Sequence, residues 1–158
     1  MHGSLSHEVE VNVPASQAWD AYKGLKIALL VGEQLNDALE KVEVLEGDGG
    51  PGTIIKLVFK PGIPGISSYK EKFTIVDDEK RLKQVEVIEG GYLELGFTYY
   101  GVRFEVIEKR EDWCITRATI EYDLKEEAAA NASVVTIRRV AKLLEFAAKY
   151  LLENKNKN

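Results

Sequence analysis

The chain has 158 residues, of which 45% are hydrophobic and 30% charged, and its formal net charge at pH 7 is −5. This composition is typical of a globular protein, and a chain of this length buries about two thirds of its unfolded surface, so it needs no disulfide or metal to fold. The acidic balance, with both signs of charge interleaved, argues against a nucleic-acid partner. The single cysteine, Cys114, excludes an intramolecular disulfide.

The N-terminal residues lack the apolar core of a signal peptide, and no stretch reaches the ~18 apolar residues of a membrane span. We therefore expect a cytoplasmic protein without a membrane partner. No repeat or linker divides the sequence, which predicts one domain over residues 1–158. His2 and His7 lie near the start without a Cys or His cluster, so no metal site is predicted.

The N-terminal part of the chain predicts one strand followed by two short helices. Polarity alternates over His7–Val13, which indicates a strand with one apolar face. A first helix is predicted from Pro14 until Gly24 breaks it, and a second from Leu25 to Leu39.

From Glu40 onward the apolar residues recur at every second position, which indicates strands. The predicted strands are Glu40–Leu45, Thr53–Lys60, Ser67–Val76, Arg81–Glu89, Phe97–Ile107 and Trp113–Leu124. Tight turns join them, as in an antiparallel meander. The glycine-rich turn Glu46–Thr53 lacks the Gly-Lys-Ser/Thr ending and the following helix of a phosphate loop. A hairpin that uses glycine for positive φ angles is the favoured interpretation.

The C-terminal segment has helical periodicity and predicts one long helix from near Asn131 to near Asn154, capped by Asn131 or Ser133. Its apolar face consists of Val134, Ile137, Ala141, Leu144, Ala148 and Leu151. The predicted fold is α+β: a curved seven-stranded antiparallel sheet around this helix, with two short helices. Alanines on the apolar face leave space beneath it, which favours a ligand cavity between helix and sheet.

Two charged residues share strand parity with apolar neighbours. Tyr69, Phe73 and Ile75 mark the buried face of their strand, and Glu71 lies on the same face. In the next strand, Lys83 shares parity with Val85 and Val87, so it also points towards the apolar side. Counting back from the hairpin turn places Glu71 and Lys83 opposite or diagonal to each other.

A lone buried charge costs several kcal/mol, so such residues are normally paired or functional. One interpretation is a structural ion pair, or a strand register misassigned by one residue. The other is an acid–base pair in a cavity, beside the phenol of Tyr69. Burial lowers the pKa of a lysine and raises that of a glutamate, whereas mutual attraction opposes both shifts, and the sequence does not decide which effect is larger.

Parity also sorts the other candidates. Val102 marks the inner face of its strand, so Tyr100 points towards the cavity and Tyr99 away from it, with plain core packing as the alternative for Tyr100. Cys114 shares parity with apolar residues, which favours a small buried hydrophobe over a nucleophile.

Several segments together resemble one known family along nearly the whole chain: Val13–Ser16 with Trp19, Glu46–Thr53, Tyr69–Phe73 and Ile88–Leu93. This is the plant pathogenesis-related class 10 family, which has the fold of the major birch pollen allergen. Within it, Tyr69–Phe73, Arg81–Lys83 and Glu89–Tyr100 are similar to the norcoclaurine synthase branch.

The resemblance implies a helix-grip fold and a cofactor-free Pictet–Spengler reaction that joins dopamine to 4-hydroxyphenylacetaldehyde. It implies catalytic roles for Lys83, Glu71 and Tyr69, in a cavity that Tyr100, Phe73 and Val102 would line. The expected partners are a small aromatic amine and an aldehyde, or an alkaloid, bound by a monomer or weak dimer without metal or cofactor.

The chain departs from the synthase pattern at Val102, where that pattern has an aspartate. Other members of the same branch isomerise or merely bind benzylisoquinoline or morphinan alkaloids, and more distant relatives bind cytokinins. An alkaloid double-bond isomerase and a non-catalytic alkaloid or hormone carrier therefore remain alternatives to the condensing enzyme.

Overall fold

The computed structural model describes residues 1–35, 39–61 and 66–155, and its described strands form one antiparallel sheet around a C-terminal helix. The strands are β1 (His2–Val11), β2 (Leu39–Glu46), β3 (Ile54–Phe59), β4 (Ser68–Asp77), β5 (Leu82–Gly90), β6 (Phe97–Arg110) and β7 (Trp113–Leu124). The helices are α1 (Ala15–Tyr22), α2 (Lys26–Gln34) and α3 (Arg138–Glu153), with 3₁₀ helices at Gly91–Leu95 and Glu126–Val134. The predicted α+β fold is confirmed.

The strand order is β1-β7-β6-β5-β4-β3-β2, with every neighbouring pair antiparallel. The two short helices carry the chain from one edge of the sheet, β1, to the other, β2. α1 packs on β6 and β7, α2 packs on β2, and α3 packs on β1 and β7. Because α3 packs mainly at one side of the sheet, the inner face of β3, β4 and β5 is left to line a cavity.

The two halves of α3 have different surroundings. Its C-terminal half is part of the core, where Leu144, Ala148 and Leu151 are buried as their spacing predicts. Its N-terminal half faces the cavity, from Arg138 to Leu143. None of the described helices is long and apolar enough to cross a membrane.

The start of α3 differs from the prediction, since the helix begins at Arg138 rather than near Asn131. The residues before it form the 3₁₀ helix Glu126–Val134, in which the side chain of Asn131 donates to the carbonyl of Leu95 at 2.7 Å. The hydroxyl of Thr136, not that of Asn131 or Ser133, accepts a hydrogen bond from the N–H of Arg138 at 3.0 Å. A side chain engaged elsewhere cannot cap the helix, so the predicted start was wrong.

The second short helix is also shorter than predicted. It ends at Gln34, and Leu39 already pairs with Phe59 in the β2–β3 hairpin. Residues 36–38, within the predicted helix, and residues 62–65, within the predicted loop at 61–65, lie outside the described part of the chain.

The glycine-rich turn joins β2 to β3 as a hairpin, which confirms that prediction. Gly47, Gly49 and Gly52 all have positive φ angles, between 87° and 110°, a region that glycine enters without steric cost. Thr53, buried at the end of the turn, accepts a hydrogen bond on its hydroxyl from the N–H of Gly49 at 2.9 Å.

Candidate active site

A cavity of about 300 Å³ lies between the sheet and the N-terminal half of α3. Apolar side chains from α2, β2, β3, β5 and β6 form most of its wall. All six residues that the sequence analysis named, Tyr69, Glu71, Phe73, Lys83, Tyr100 and Val102, line this one cavity. A mostly apolar cavity with a few converging polar groups is the usual form of a small-molecule site.

The side chains of Glu71 and Lys83 reach the cavity through a register that differs from the predicted one. Glu71 pairs with Val87, while Lys83 pairs with Val76 near the other end of the hairpin, so the two are neither opposite nor diagonal. An irregularity between Phe73 and Ile75 shifts the register. It turns Ile75 outward, where 42% of its surface is exposed, so its predicted burial was wrong.

Lys83 is fixed by the backbone at the end of α1 and in the turn that follows it. Its ammonium donates hydrogen bonds to the carbonyl of Tyr22 at 3.1 Å and to that of Gly24 at 2.8 Å. It also lies 3.9 Å from the centre of the Phe73 ring, a favourable cation–π arrangement. Since an ammonium carries three donors, these two carbonyls leave one for a ligand.

Burial dominates the protonation of both charged groups. Desolvation raises the pKa of Glu71 to about 7, although the charge of Lys83 opposes the shift. Desolvation likewise lowers the pKa of Lys83 to about 8 against the attraction of Glu71. Within the described residues neither group forms a close ion pair, which explains why attraction does not prevail. Both groups can therefore exchange protons near neutral pH, as general acids and bases must.

A cluster of aromatic side chains forms the other polar end of the cavity. Tyr100 is buried and stacks on Tyr92, with ring centres 3.8 Å apart and planes at 5°. The ring centres of Tyr69 and Tyr92 lie 5.9 Å apart. Burial raises the phenol pKa values of Tyr69 and Tyr100 well above the usual range, so both remain protonated donors.

Two residues at this end of the cavity, Tyr92 and Arg139, were missed by the sequence analysis as site residues. Tyr92 follows a glycine pair in a 3₁₀ helix, where strand parity has no meaning. Arg139 is polar and therefore did not count in the apolar face of α3. Its position four residues before Leu143 and seven before Phe146, both packed on the core, was the signal that it points inward.

Val102 is buried between Val85 on β5 and Ile120 on β7, and it carries no group for proton transfer. Glu71 is thus the one carboxylate among the described residues that line the cavity.

Cys114 is fully buried, and burial raises its thiol pKa to about 11, in keeping with a small hydrophobe. The described residues contain no group of three or more His, Cys, Asp or Glu side chains placed to hold a metal.

A curved antiparallel sheet, a C-terminal helix and a cavity between them define the helix-grip class of proteins. The chain belongs to the pathogenesis-related protein Bet v 1 family, whose sequence profile matches residues 1–154.

Its similar relatives include a norbelladine synthase and several norcoclaurine synthases. The chain is 48% identical to norbelladine synthase of Narcissus pseudonarcissus over 86% of this chain and 83% of that protein. It is 39% identical to S-norcoclaurine synthase of Thalictrum flavum subsp. glaucum over 98% of this chain and 73% of that one. The crystal structure of norcoclaurine synthase from Thalictrum flavum with dopamine and hydroxybenzaldehyde matches with a TM-score of 0.89 and 38% identity, over 99% and 90% of the two chains.

Proposed function

We propose that the chain is a cofactor-free enzyme that condenses an aromatic amine with an aromatic aldehyde, with dopamine and 4-hydroxyphenylacetaldehyde as its substrates in a Pictet–Spengler reaction. The observation that carries the proposal is the pair of Glu71 and Lys83, buried in one cavity with pKa values of about 7 and about 8. The similarity to norcoclaurine synthases supports the choice of substrates.

The first stage is the loss of water from the adduct of amine and aldehyde. The amine gives up its extra proton to water, its neutral nitrogen adds to the aldehyde carbon, and one N–H proton passes to the aldehyde oxygen. The resulting carbinolamine hydroxyl must then leave. The ammonium of Lys83 donates a proton to this oxygen, so that water departs and an iminium ion forms. The two backbone carbonyls that hold Lys83 keep its ammonium in place for this transfer.

The second stage forms the carbon–carbon bond. The electron-rich catechol ring attacks the iminium carbon, and the ring then loses a proton to recover its aromaticity. Glu71 takes this proton as its carboxylate. Tyr69, two residues away on the same face of β4, donates a hydrogen bond that orients the substrate. Positioned proton transfer typically contributes ~10²–10⁴-fold in rate, and holding both rings in one cavity adds to it.

A second candidate is the isomerisation of a double bond in an alkaloid. Because Val102 stands where the synthase pattern has an aspartate, Glu71 is the one carboxylate among the described lining residues. Moving a proton from one carbon to another needs one such base. In this reaction Glu71 or Lys83 would remove the proton and return it to a different carbon.

The deciding experiment measures cyclised product from dopamine and 4-hydroxyphenylacetaldehyde, above the rate in buffer, with the parent protein and Lys83→Met. We expect many turnovers per parent molecule and at least a hundredfold lower rate for Lys83→Met. Lys72→Met is the matched control, because Lys72 lies on the neighbouring strand with its side chain exposed on the other face.

Thermal melts of all three proteins accompany the rates. A folded Lys83→Met protein that cyclises at the parent rate would show that Lys83 is not the acid. Stoichiometric quenching of fluorescence without product would instead identify a carrier, and product from an alkaloid with a movable double bond would identify an isomerase.

A further inference from the structure

Arg139 reaches across the cavity from the first turn of α3 to the aromatic cluster. The carbon at the centre of its guanidinium lies 4.6 Å from the centre of the Phe59 ring. One of its terminal nitrogens donates a hydrogen bond to the hydroxyl oxygen of Tyr92 at 3.3 Å. Tyr92 in turn lies against Tyr100 and Tyr69. A cation thus lies beside three phenols, and the proposed reaction assigns it no role.

The cluster offers hydrogen-bond donors to the cavity. A guanidinium has five N–H donors, and the contact with Tyr92 uses one of them. The hydroxyl of Tyr92 accepts that bond and also hydrogen-bonds with Tyr100, so it positions the guanidinium and the other N–H groups of Arg139 are the donors for a ligand. A ligand group that matches these donors must be an acceptor oxygen.

The polar groups follow one another along the cavity. Tyr69 precedes Glu71 by two residues on the same face of β4, a distance of roughly 7 Å at ~3.3 Å per residue. Lys83 lies further along, over Phe73. Arg139 and Tyr92 are therefore at one end, Glu71 in the middle and Lys83 at the other end. Arginine keeps its proton in proteins, so Arg139 can hold an oxygen but cannot exchange protons with it.

Charge decides which substrate this end favours. The guanidinium of Arg139 is the cation beside Tyr92, whereas Glu71 is the acidic residue among the described lining residues. An aromatic amine arrives from water as an ammonium ion, which the guanidinium of Arg139 repels. An uncharged aldehyde meets no such repulsion, and its phenolic oxygen carries the partial negative charge that the donors match.

We infer that Arg139 and Tyr92 form a phenol-binding subsite that selects aldehydes with a hydroxyl group on the far side of the ring. The inference rests on the proposed function, since it assigns one substrate of that reaction to this end of the cavity. The subsite holds the ring oxygen while the carbonyl carbon points towards Glu71 and Lys83. Arg139 is thus a residue that determines specificity rather than a catalytic one.

The test measures equilibrium binding by calorimetry, so that it does not depend on turnover. The probes are 4-hydroxybenzaldehyde and benzaldehyde, and the proteins are the parent, Arg139→Met, Tyr92→Phe and Lys149→Met. Lys149 is the matched control, since it is an exposed cation on the same helix outside the cavity lining. One hydrogen bond to a charged group corresponds to roughly tenfold in affinity.

We expect the parent and Lys149→Met to bind the hydroxylated aldehyde about tenfold more tightly than benzaldehyde. The ratio should fall to about one in Arg139→Met and to an intermediate value in Tyr92→Phe. Tyr92→Phe keeps the stacked ring, so it remains informative if Arg139→Met does not fold. An unchanged ratio in the folded variants, or a parent that does not prefer the hydroxylated aldehyde, overturns the inference.

Turnover separates this inference from the proposed function. If the subsite holds the aldehyde during turnover, KM for the hydroxylated aldehyde should be higher in Arg139→Met than in the parent, while kcat stays within about twofold. If no protein makes product but the binding ratio falls in Arg139→Met, the subsite stands and the proposed condensation fails. If product forms and the ratio is unchanged, the condensation stands and the subsite fails.

Discussion

The ammonium of Lys83 lies 2.8 Å from the carbonyl oxygen of Gly24, so a central strand and the turn between the two short helices meet at Lys83. The neighbouring carbonyl of Tyr22 is the second acceptor. Two neutral carbonyls stabilise the charged form of a lysine less than a carboxylate would. This arrangement keeps Lys83 held in place and yet able to release its proton near neutral pH.

The first prediction concerns the pH dependence of the condensation. The mechanism needs Glu71 deprotonated and Lys83 protonated, and their pKa values are about 7 and about 8. The value of kcat/KM should therefore rise as the pH increases through about 7 and fall above about 8, with the two limbs belonging to the coupled pair. Initial rates between pH 5.5 and 9.5, corrected for the reaction in buffer, give this profile.

In Glu71→Gln the remaining activity should lack the acidic limb. The basic limb should move to lower pH, because the charge of Glu71 normally raises the pKa of Lys83 and the variant removes it. A basic limb that stays where it is in the parent, or moves to higher pH, contradicts the assignment of Lys83 as the acid.

The second prediction concerns stability. Since the pKa of Glu71 is raised on folding from about 4.5 to about 7, the unfolded chain ionises this group first as the pH rises. The parent thus loses stability relative to Glu71→Gln between these two values, and the difference is constant above them. It amounts to at most about 3 kcal/mol, or several degrees in Tm for a chain of this size.

Thermal melts of the parent and Glu71→Gln at pH 4.5, 6 and 8 test this directly. The variant should match the parent near pH 4.5 and melt higher at pH 8. Glu86→Gln is a suitable control, because Glu86 lies on β5 opposite Lys72 and its side chain is only half-buried. Equal gains in the two variants would show that general charge repulsion, not the buried carboxyl, is responsible.

How far the sequence could predict the site depended on the geometry of each element. Strand parity placed Tyr69, Glu71 and Lys83 on the cavity face, because the pleat fixes a period of two whatever the surroundings. The irregularity near Ile75 could not be predicted, since a bulge follows from the curvature of the whole sheet. It moved Lys83 along the hairpin relative to Glu71, yet it left Lys83 facing inward.

The helical part of the site was less accessible to such reasoning. The segment Glu126–Val134 is rich in alanine, and its local propensity suits an α-helix as well as the 3₁₀ helix that is present. The 3₁₀ helix makes a tertiary contact that local propensity does not reveal, the hydrogen bond from Asn131 to Leu95. Arg139 was missed for a similar reason, because its partners Phe59 and Tyr92 come from distant parts of the chain.

The glycine-rich hairpin bears on Lys83 through Gly49. A Cβ atom at this position would lie 3.0 Å from the Cα of Gly24 and 3.3 Å from the backbone nitrogen of Leu25. The hairpin thus packs directly on the turn whose carbonyl holds Lys83. We expect Gly49→Ala to push this turn away and to lengthen or break the hydrogen bond between Gly24 and Lys83.

Gly52→Ala is the matched control for this third prediction. Gly49 and Gly52 have φ angles of 110° and 93°, so alanine is strained at both, but a Cβ at Gly52 meets nothing within 4 Å. Both variants should lose about 1–2 kcal/mol of stability from the backbone strain. Gly49→Ala alone should also lower kcat and move the basic limb of the pH profile to lower pH, because a lysine that loses a carbonyl acceptor gives up its proton more readily.

Melting curves and pH–rate profiles of the two variants make the comparison. If both variants lose stability alike and keep the parent profile, Gly49 supports the hairpin and has no bearing on Lys83.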